Sequence, residues 1–109
     1  MAPACGARAS GAKRSRFAPD VPTFAEQGLG AMTHSEWFAF FLPGRSTPDV
    51  VDAASRALRD ALTQPALAQA FAESGMVAAS STPAALASRI AAEQRYWEPV
   101  IRGADIRAE

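Results

Sequence analysis

Residues 19–28 read PDVPTFAEQG, and this stretch predicts how the N-terminal part of the chain folds. Each proline fixes φ and disfavours helix in the residue before it, so we expect an extended loop over residues 17–22. Thr23 and Glu26 have the spacing of a capping box, in which each side chain accepts a hydrogen bond from the backbone N–H of the other residue. Gly28 can adopt a positive φ, which would end a short helix after about one or two turns.

The next informative stretch is residues 37–42, which read WFAFFL and are followed by Pro43-Gly44. Its aromatic content and the helix-breaking residues after it favour a strand over a helix. Because apolar residues occupy both faces of such a strand, we expect Trp37 and its neighbours to be buried on both sides.

A helix is predicted to follow from the sequence Thr47-Pro48-Asp49. Thr47 is expected to cap it, Pro48 to take the first helical position, and Asp49 to face the positive end of the helix dipole. A core stripe at helical spacing is formed by Val51, Ala54, Leu58, Ala61 and Leu62.

The second predicted helix starts near Pro65 and ends at Gly75, a residue suited to the position after a helix C-terminus. Its inward face is expected to carry Leu67, Ala70 and Phe71. Residues 76–79, which read MVAA, are a candidate for a brief strand.

The last and longest helix is predicted to begin at Thr82-Pro83, which repeats the start signal of the first. Pro99 lies inside its pattern and removes one backbone hydrogen bond, so we expect the helix to kink or to end near Glu98. One face is marked by Leu86, Ile90, Glu93 or Gln94, Trp97 and Ile101.

The predicted order is loop, short helix, strand, helix, helix, strand, helix, which is an α/β pattern that is mostly helical. Two short strands are too few for a sheet with helices on its faces. We therefore expect residues outside this sequence, or a partner, to supply the missing strands.

Composition and motifs argue against several function classes. The chain has 109 residues, of which 49% are hydrophobic and 20% charged, as in an ordinary globular domain. A membrane helix needs about 20 apolar residues, far more than the run at 37–42, so no membrane insertion is expected. A single histidine, His34, and a single cysteine, Cys5, cannot build a zinc site or a disulfide. With no phosphate-binding glycine motif and no nucleophile–base set, we expect neither an enzyme nor a cofactor.

The charges are unevenly placed along the chain. The first 16 residues contain four basic side chains and no acidic one: Arg8, Lys13, Arg14 and Arg16. Such an arm is typically a solvated, poorly ordered terminus. The alternative function is a small partner-binding or nucleic-acid-binding module that uses this arm, and it predicts binding that falls steeply with salt.

A candidate ligand site lies in the loop that carries Asp20, Pro22 and Thr23. Backbone N–H groups at a helix N-terminus can bind an anion, and Thr23 adds a hydroxyl. A structural role for these residues is the competing interpretation, because the capping box already uses Thr23. Trp37 and Trp97 are expected to pack in a core or hinge, and Glu93 to hold its helix to a neighbouring loop.

Three ordered segments resemble the C-terminal part of Bug-type receptors, the periplasmic substrate-binding proteins of tripartite tricarboxylate transporters. The first segment comprises Lys13-Arg14-Ser15, residues 19–23 (PDVPT) and Glu26-Gln27-Gly28. The second runs from Trp37 to Gly44 and on to Thr47-Pro48. The third comprises Gly75, Ser81-Thr82-Pro83, Glu93 and Trp97. The resemblance spans about residues 12–106. By it, the structural motif residues are Glu26, Gly28, Trp37, Pro48, Pro83, Glu93 and Trp97.

The resemblance implies a two-lobed clamshell fold, the type II periplasmic-binding-protein fold, of which this sequence is an incomplete part. Residues 1–16 would be a disordered or remnant N-terminus, 17–36 a remnant of the second lobe, and 37–109 the hinge strand and C-terminal helices of the first lobe.

Such receptors capture a small carboxylated or otherwise polar metabolite and deliver it to membrane transporter subunits; no nucleic acid is expected as a partner. Periplasmic location follows from the resemblance. The sequence shows no signal peptide, so we expect a truncated or decayed receptor, which would stay in the cytoplasm if made as it stands.

Overall fold

A computed structural model describes residues 7–108 and divides the chain into two compact units between Phe41 and Leu42. The first unit contains two short 3-10 helices, Ala25–Gln27 and Gly30–Met32. The second contains three α-helices, α1 (Pro48–Leu62), α2 (Pro65–Glu73) and α3 (Pro83–Gly103). No helix within residues 7–108 is long and apolar enough to cross a membrane. Cys5 lies outside the described residues.

The first unit is organised by backbone pairing around Ala9. The N–H of Ala9 donates to the carbonyl of Pro22, and the N–H of Phe24 donates to the carbonyl of Ala9, both at 3.0 Å. This makes an isolated parallel bridge between Ala9 and Thr23. The carbonyl of the next residue, Ser10, accepts from the N–H of His34 at 2.7 Å. Residues 9 and 10 therefore connect the loop that precedes the 3-10 helices to the segment that follows them.

The second unit is built on α1, which contacts both α2 and α3. On α1, the expected stripe is half-buried at Val51, Ala54, Leu58 and Leu62, whereas Ala61 is exposed. Across residues 7–108 no hydrophobic side chain is fully buried. The helices therefore depend more than usual on their local start and stop signals.

The helix starts follow the sequence, with one difference. A proline stands at the start of each of the three α-helices, as predicted from Thr47-Pro48, Pro65 and Thr82-Pro83. The Thr82 hydroxyl accepts a hydrogen bond from the N–H of Ala85 at 3.1 Å. Thr47 occupies the N-cap position of α1 with extended backbone, but its side chain makes no capping hydrogen bond. The predicted hydroxyl cap is therefore confirmed at Thr82 and wrong at Thr47.

Three of the helical segments, Ala25–Gln27, α2 and α3, end in a shared pattern of two backbone hydrogen bonds, known as the Schellman motif. After α2, the N–H of Met76 donates to the carbonyl of Phe71 and the N–H of Gly75 to that of Ala72. The same pair of bonds forms around Gly28 and around Asp105. Within residues 7–108, positive φ occurs at these three positions alone: 79° at Gly28, 72° at Gly75 and 50° at Asp105. The two glycine stops predicted from sequence are confirmed.

The two predicted strands are wrong for this chain. Residues 37–42 and 76–79 are not strands, and the bridge at Ala9 is the one strand-like pairing in the described part. Phe38, Phe40 and Phe41 are 82%, 78% and 68% exposed rather than buried on both sides. A strand needs a neighbouring strand to take up its backbone hydrogen bonds, and within the described residues no strand pairs with these segments. The piece is mostly helical, as expected, but the α/β order is absent from residues 7–108.

Pro99 does not end α3, which runs on to Gly103. Of the two outcomes expected at Pro99, the end near Glu98 is therefore wrong, and the kink stays a prediction. A proline in a helix leaves the carbonyl four residues earlier without its usual N–H donor, here the carbonyl of Arg95. The ion pair between Arg102 and Glu98, at 2.6 Å and i,i+4 spacing, spans the turn that contains Pro99.

The two Thr-Pro helix starts give a matched pair of substitutions. Thr82→Ala should lower the free energy of unfolding of the helical unit by about 1 kcal/mol, because the N–H of Ala85 loses its acceptor. Thr47→Ala should cost much less, since its hydroxyl caps nothing. Thermal unfolding followed by circular dichroism measures both. Equal costs for the two substitutions would contradict the assignment of the caps.

The positive φ of Gly75 leads to a second expectation. Gly75→Ala should destabilise the unit by about 1–2 kcal/mol, because an L-residue is strained in the left-handed region. No atom lies within 4 Å of the position its Cβ would take, so the cost is one of backbone strain alone. Gly44→Ala is the control, because Gly44 has the same open surroundings without a positive φ. Urea unfolding of the two variants should differ, and indistinguishable midpoints would refute the argument.

Candidate functional site

Thr23 is the centre of the loop that carries the candidate ligand residues. It is 2% exposed, and no other residue among 7–108 is classed as buried. Its hydroxyl accepts from the N–H of Glu26 at 3.1 Å, and its own N–H donates to Oε2 of Glu26 at 2.8 Å. The capping box predicted from sequence is therefore confirmed. The bridge to Ala9 covers the same residue and completes its burial.

Arg14 is not part of the capping box but binds the Glu26 carboxylate of that box. This contact was not predicted by the sequence analysis. The Nε of Arg14 lies 3.0 Å from each carboxylate oxygen of Glu26, and its Nη2 donates to Oε1 at 2.8 Å. Its Nη1 donates to the carbonyl of Pro19 at 3.2 Å. The composition of residues 1–16 predicts a solvated basic arm; Arg14 is exposed, as that predicts, but it is also paired with Glu26. A signal was present, since Arg14 belongs to one of the segments that carry the family resemblance.

The contacts to Glu26 change its ionisation. Hydrogen bonds from the Arg14 guanidinium, and then from the backbone N–H of Thr23, lower the pKa of Glu26 from 4.5 to about 2. The same carboxylate raises the pKa of Arg14 above its ordinary value, chiefly through the side-chain hydrogen bond. Both side chains are over 40% exposed, so solvent screens the attraction between them. The pair therefore fixes geometry more than it adds stability.

Asp20 and Pro22 lie on the same loop as Thr23. Asp20 is exposed, and Pro22 is half-buried with its carbonyl bound to the N–H of Ala9. The N–H groups of Thr23, Phe24 and Glu26 all have acceptors within the chain. The structure thus brings the three predicted ligand residues into one loop, but most of the N–H groups expected to bind an anion already have partners.

The other predicted motif residues have structural positions. Trp37 is half-buried, and Gly28 ends the first 3-10 helix. Pro48 and Pro83 open α1 and α3. On α3, Arg89 donates to Glu93 at 2.9 Å. The rings of Trp97 and Tyr96 meet edge to face with centroids 5.1 Å apart. The role of Glu93 in holding a neighbouring loop stays a prediction.

No metal chemistry is suggested by the described part of the chain. Residues 7–108 contain no group of three or more His, Cys, Asp or Glu side chains placed to hold a metal ion.

Comparison with known proteins assigns the family. The sequence profile of the tripartite tricarboxylate transporter family receptor matches residues 7–106, nearly the whole chain. The chain belongs to this receptor family. The match includes Arg14, the capping box and all three α-helices, so the features described above lie inside the family region. The family consists of transport receptors rather than enzymes.

Two curated relatives agree with this membership. Protein BugT of Bordetella pertussis is 35% identical over 89 residues, which cover 82% of this chain and 27% of the relative. A UPF0065 protein of Agrobacterium vitis is 36% identical over 86 residues, which cover 76% of this chain and 25% of the relative. The chain thus spans about a quarter of the length of each of these two relatives. No solved structure matches it.

The pKa of Glu26 gives a test of the loop geometry in this receptor chain. An NMR titration of the Glu26 side-chain carboxyl carbon should show a midpoint at about pH 2 rather than 4.5. Because the folded pKa is lowered, the ionised carboxylate stabilises the folded loop above pH 4.5, and that stabilisation is lost as the pH falls towards 2.

Arg14→Gln should move this midpoint upwards, since the guanidinium is the first cause of the shift. Arg16→Gln is the matched control, because Arg16 lies over the ring of Phe17 instead of a carboxylate. A midpoint near 4.5 in the unsubstituted protein would show that the Arg14–Glu26 contact does not form in solution.

Proposed function

We propose that this chain forms part of a solute receptor that captures a small carboxylated or otherwise polar metabolite and delivers it to the membrane subunits of a tripartite transporter. The observation that carries the proposal is the family match over residues 7–106, which includes the loop around Thr23 and all three α-helices. The periplasm is the compartment we propose for this activity, because it is the compartment of the family.

The ligand contact is proposed to lie on the exposed side of the loop at residues 19–23. Asp20 presents its carboxylate to solvent, and a ligand hydroxyl or amine could donate to it. Pro22 lies beside it with a fixed backbone. Thr23 is buried beneath them, and its hydroxyl serves the capping box. We therefore propose that Asp20 and Pro22 touch the ligand and that Thr23 fixes the shape of the loop.

The remaining walls of the binding site are proposed to come from parts of the receptor fold that this sequence does not contain. The relatives are about four times as long as the region they share with this chain. We assign residues 17–36 to the second lobe, and the hinge segment and helices of 37–109 to the first. The exposed Phe38, Phe40 and Phe41 support this assignment, because a strand buried on both sides would carry such side chains.

The alternative function, a nucleic-acid-binding or partner-binding module using the basic arm, finds less support. Arg14 is paired with Glu26, which removes one of the four arm cations from the available charge. The comparisons place the chain in a receptor family and offer nothing for this alternative.

A titration of the isolated chain tests the proposed site. Succinate should shift the backbone amide resonances of residues 19–24 with a dissociation constant of about 1 mM or weaker, worth roughly −4 kcal/mol at most. One wall of a cleft leaves most of the ligand in water, so tight binding is not expected. Succinate has no hydroxyl or amine to donate to Asp20, so Asp20→Ala should strengthen the shifts by removing a repelling charge, while Asp52→Ala, a change of an exposed aspartate on α1, should leave them unchanged.

Two results would contradict the proposal. Micromolar binding would mean that the chain forms a complete pocket by itself. Shifts confined to residues 42–108 would place the ligand on the helical unit instead of the loop.

A further inference from the structure

The contacts of Arg14 tie together both ends of the segment that contains the proposed ligand loop. One guanidinium reaches the carbonyl of Pro19, where the loop begins, and the carboxylate of Glu26, just after it. Between Arg14 and Pro22 the backbone folds through two turns, in which the N–H of Ala18 donates to the carbonyl of Ser15 and that of Val21 to the carbonyl of Ala18, both at 3.1 Å. The segment is therefore folded back on itself and closed by a single side chain.

The same contact balances the charge at the loop. Asp20 is an exposed carboxylate, and Glu26 adds a second negative charge a few residues away. An anionic ligand near the loop would be repelled by both. Because Arg14 forms a bidentate pair with Glu26, the net charge of these two side chains is zero, and Asp20 is the acid of the segment from 14 to 26 that lies outside this ion pair.

We propose that Arg14 is a positioning residue for ligand binding: it shapes the loop at residues 19–23 and neutralises Glu26 so that a carboxylated ligand can approach. This inference rests on the proposed function. Arg14 does not itself receive the ligand, because its donors face Glu26 and Pro19. Lysine cannot replace it fully, since a planar fork of donors is needed to span two oxygens and a carbonyl at once.

Hydrogen exchange tests the positioning role without any ligand. Arg14→Gln should speed exchange of the Thr23 and Glu26 amides by roughly two- to fivefold, as expected when an exposed ion pair that orders a loop is lost. Arg14→Lys should give an intermediate effect, and Arg16→Gln none. The amides of α1 report whether the rest of the chain stays folded. Unchanged exchange at Thr23 and Glu26 in Arg14→Gln would overturn the inference.

Succinate titrations then separate positioning from a purely structural role. Arg14→Gln should weaken the succinate-induced shifts of residues 19–24 at least about threefold, because the loop loosens and Glu26 becomes an unpaired negative charge. The double variant Arg14→Gln/Glu26→Gln should recover part of that loss. The repelling charge of Glu26 is gone in this variant, although the contacts of Arg14 to Pro19 and Glu26 are still absent. A purely structural Arg14 predicts no such recovery.

The outcomes are distinguishable. If succinate shifts no loop resonance in the unsubstituted chain, the proposed ligand site fails, and the role of Arg14 in ligand binding fails with it. If succinate shifts the loop equally in the unsubstituted chain and in Arg14→Gln, the site stands and the inference about Arg14 is overturned.

Discussion

The reciprocal hydrogen bonds between Thr23 and Glu26 are the contact on which the first unit depends. They satisfy two N–H groups at the start of a short 3-10 helix and bury the Thr23 side chain. The backbone bonds of the Ala9 bridge lie on both sides of Thr23, at Pro22 and Phe24, and Arg14 binds the Glu26 carboxylate. The capping box is therefore the point where the two longer-range contacts of this unit meet.

The helical unit is stabilised differently. Its helices have well-defined starts and stops, yet no hydrophobic side chain within the described residues is fully buried. Isolated helices of this length are marginal in water, and most helical stability in proteins comes from packing of an apolar face. Local caps such as Thr82 and the turn at Gly75 therefore contribute a larger share of stability here than they would in a protein with a full core.

Sequence reasoning succeeded where the deciding interactions are local. The capping box, the Thr82 cap and the glycine stops each involve residues within a few positions of one another, so their spacing predicts them. It failed for residues 37–42 because a strand depends on a neighbour that the pattern itself cannot supply. It also missed Arg14, whose partner lies 12 residues away across two turns. Burial of Thr23 against Ala9 is likewise a long-range contact that no local signal contains.

The exposed segment from Trp37 to Leu42 has a consequence for the behaviour of the chain in solution. Over six residues it contains no charge, no proline and no glycine. Within the described residues, the backbone from Phe38 to Leu42 forms no helix or strand and makes no backbone–backbone hydrogen bond. Segments with this composition are templates for cross-β stacking, and molecular chaperones bind similar apolar stretches. We therefore expect this short aromatic stretch, more than the helices, to set the solubility of the isolated chain.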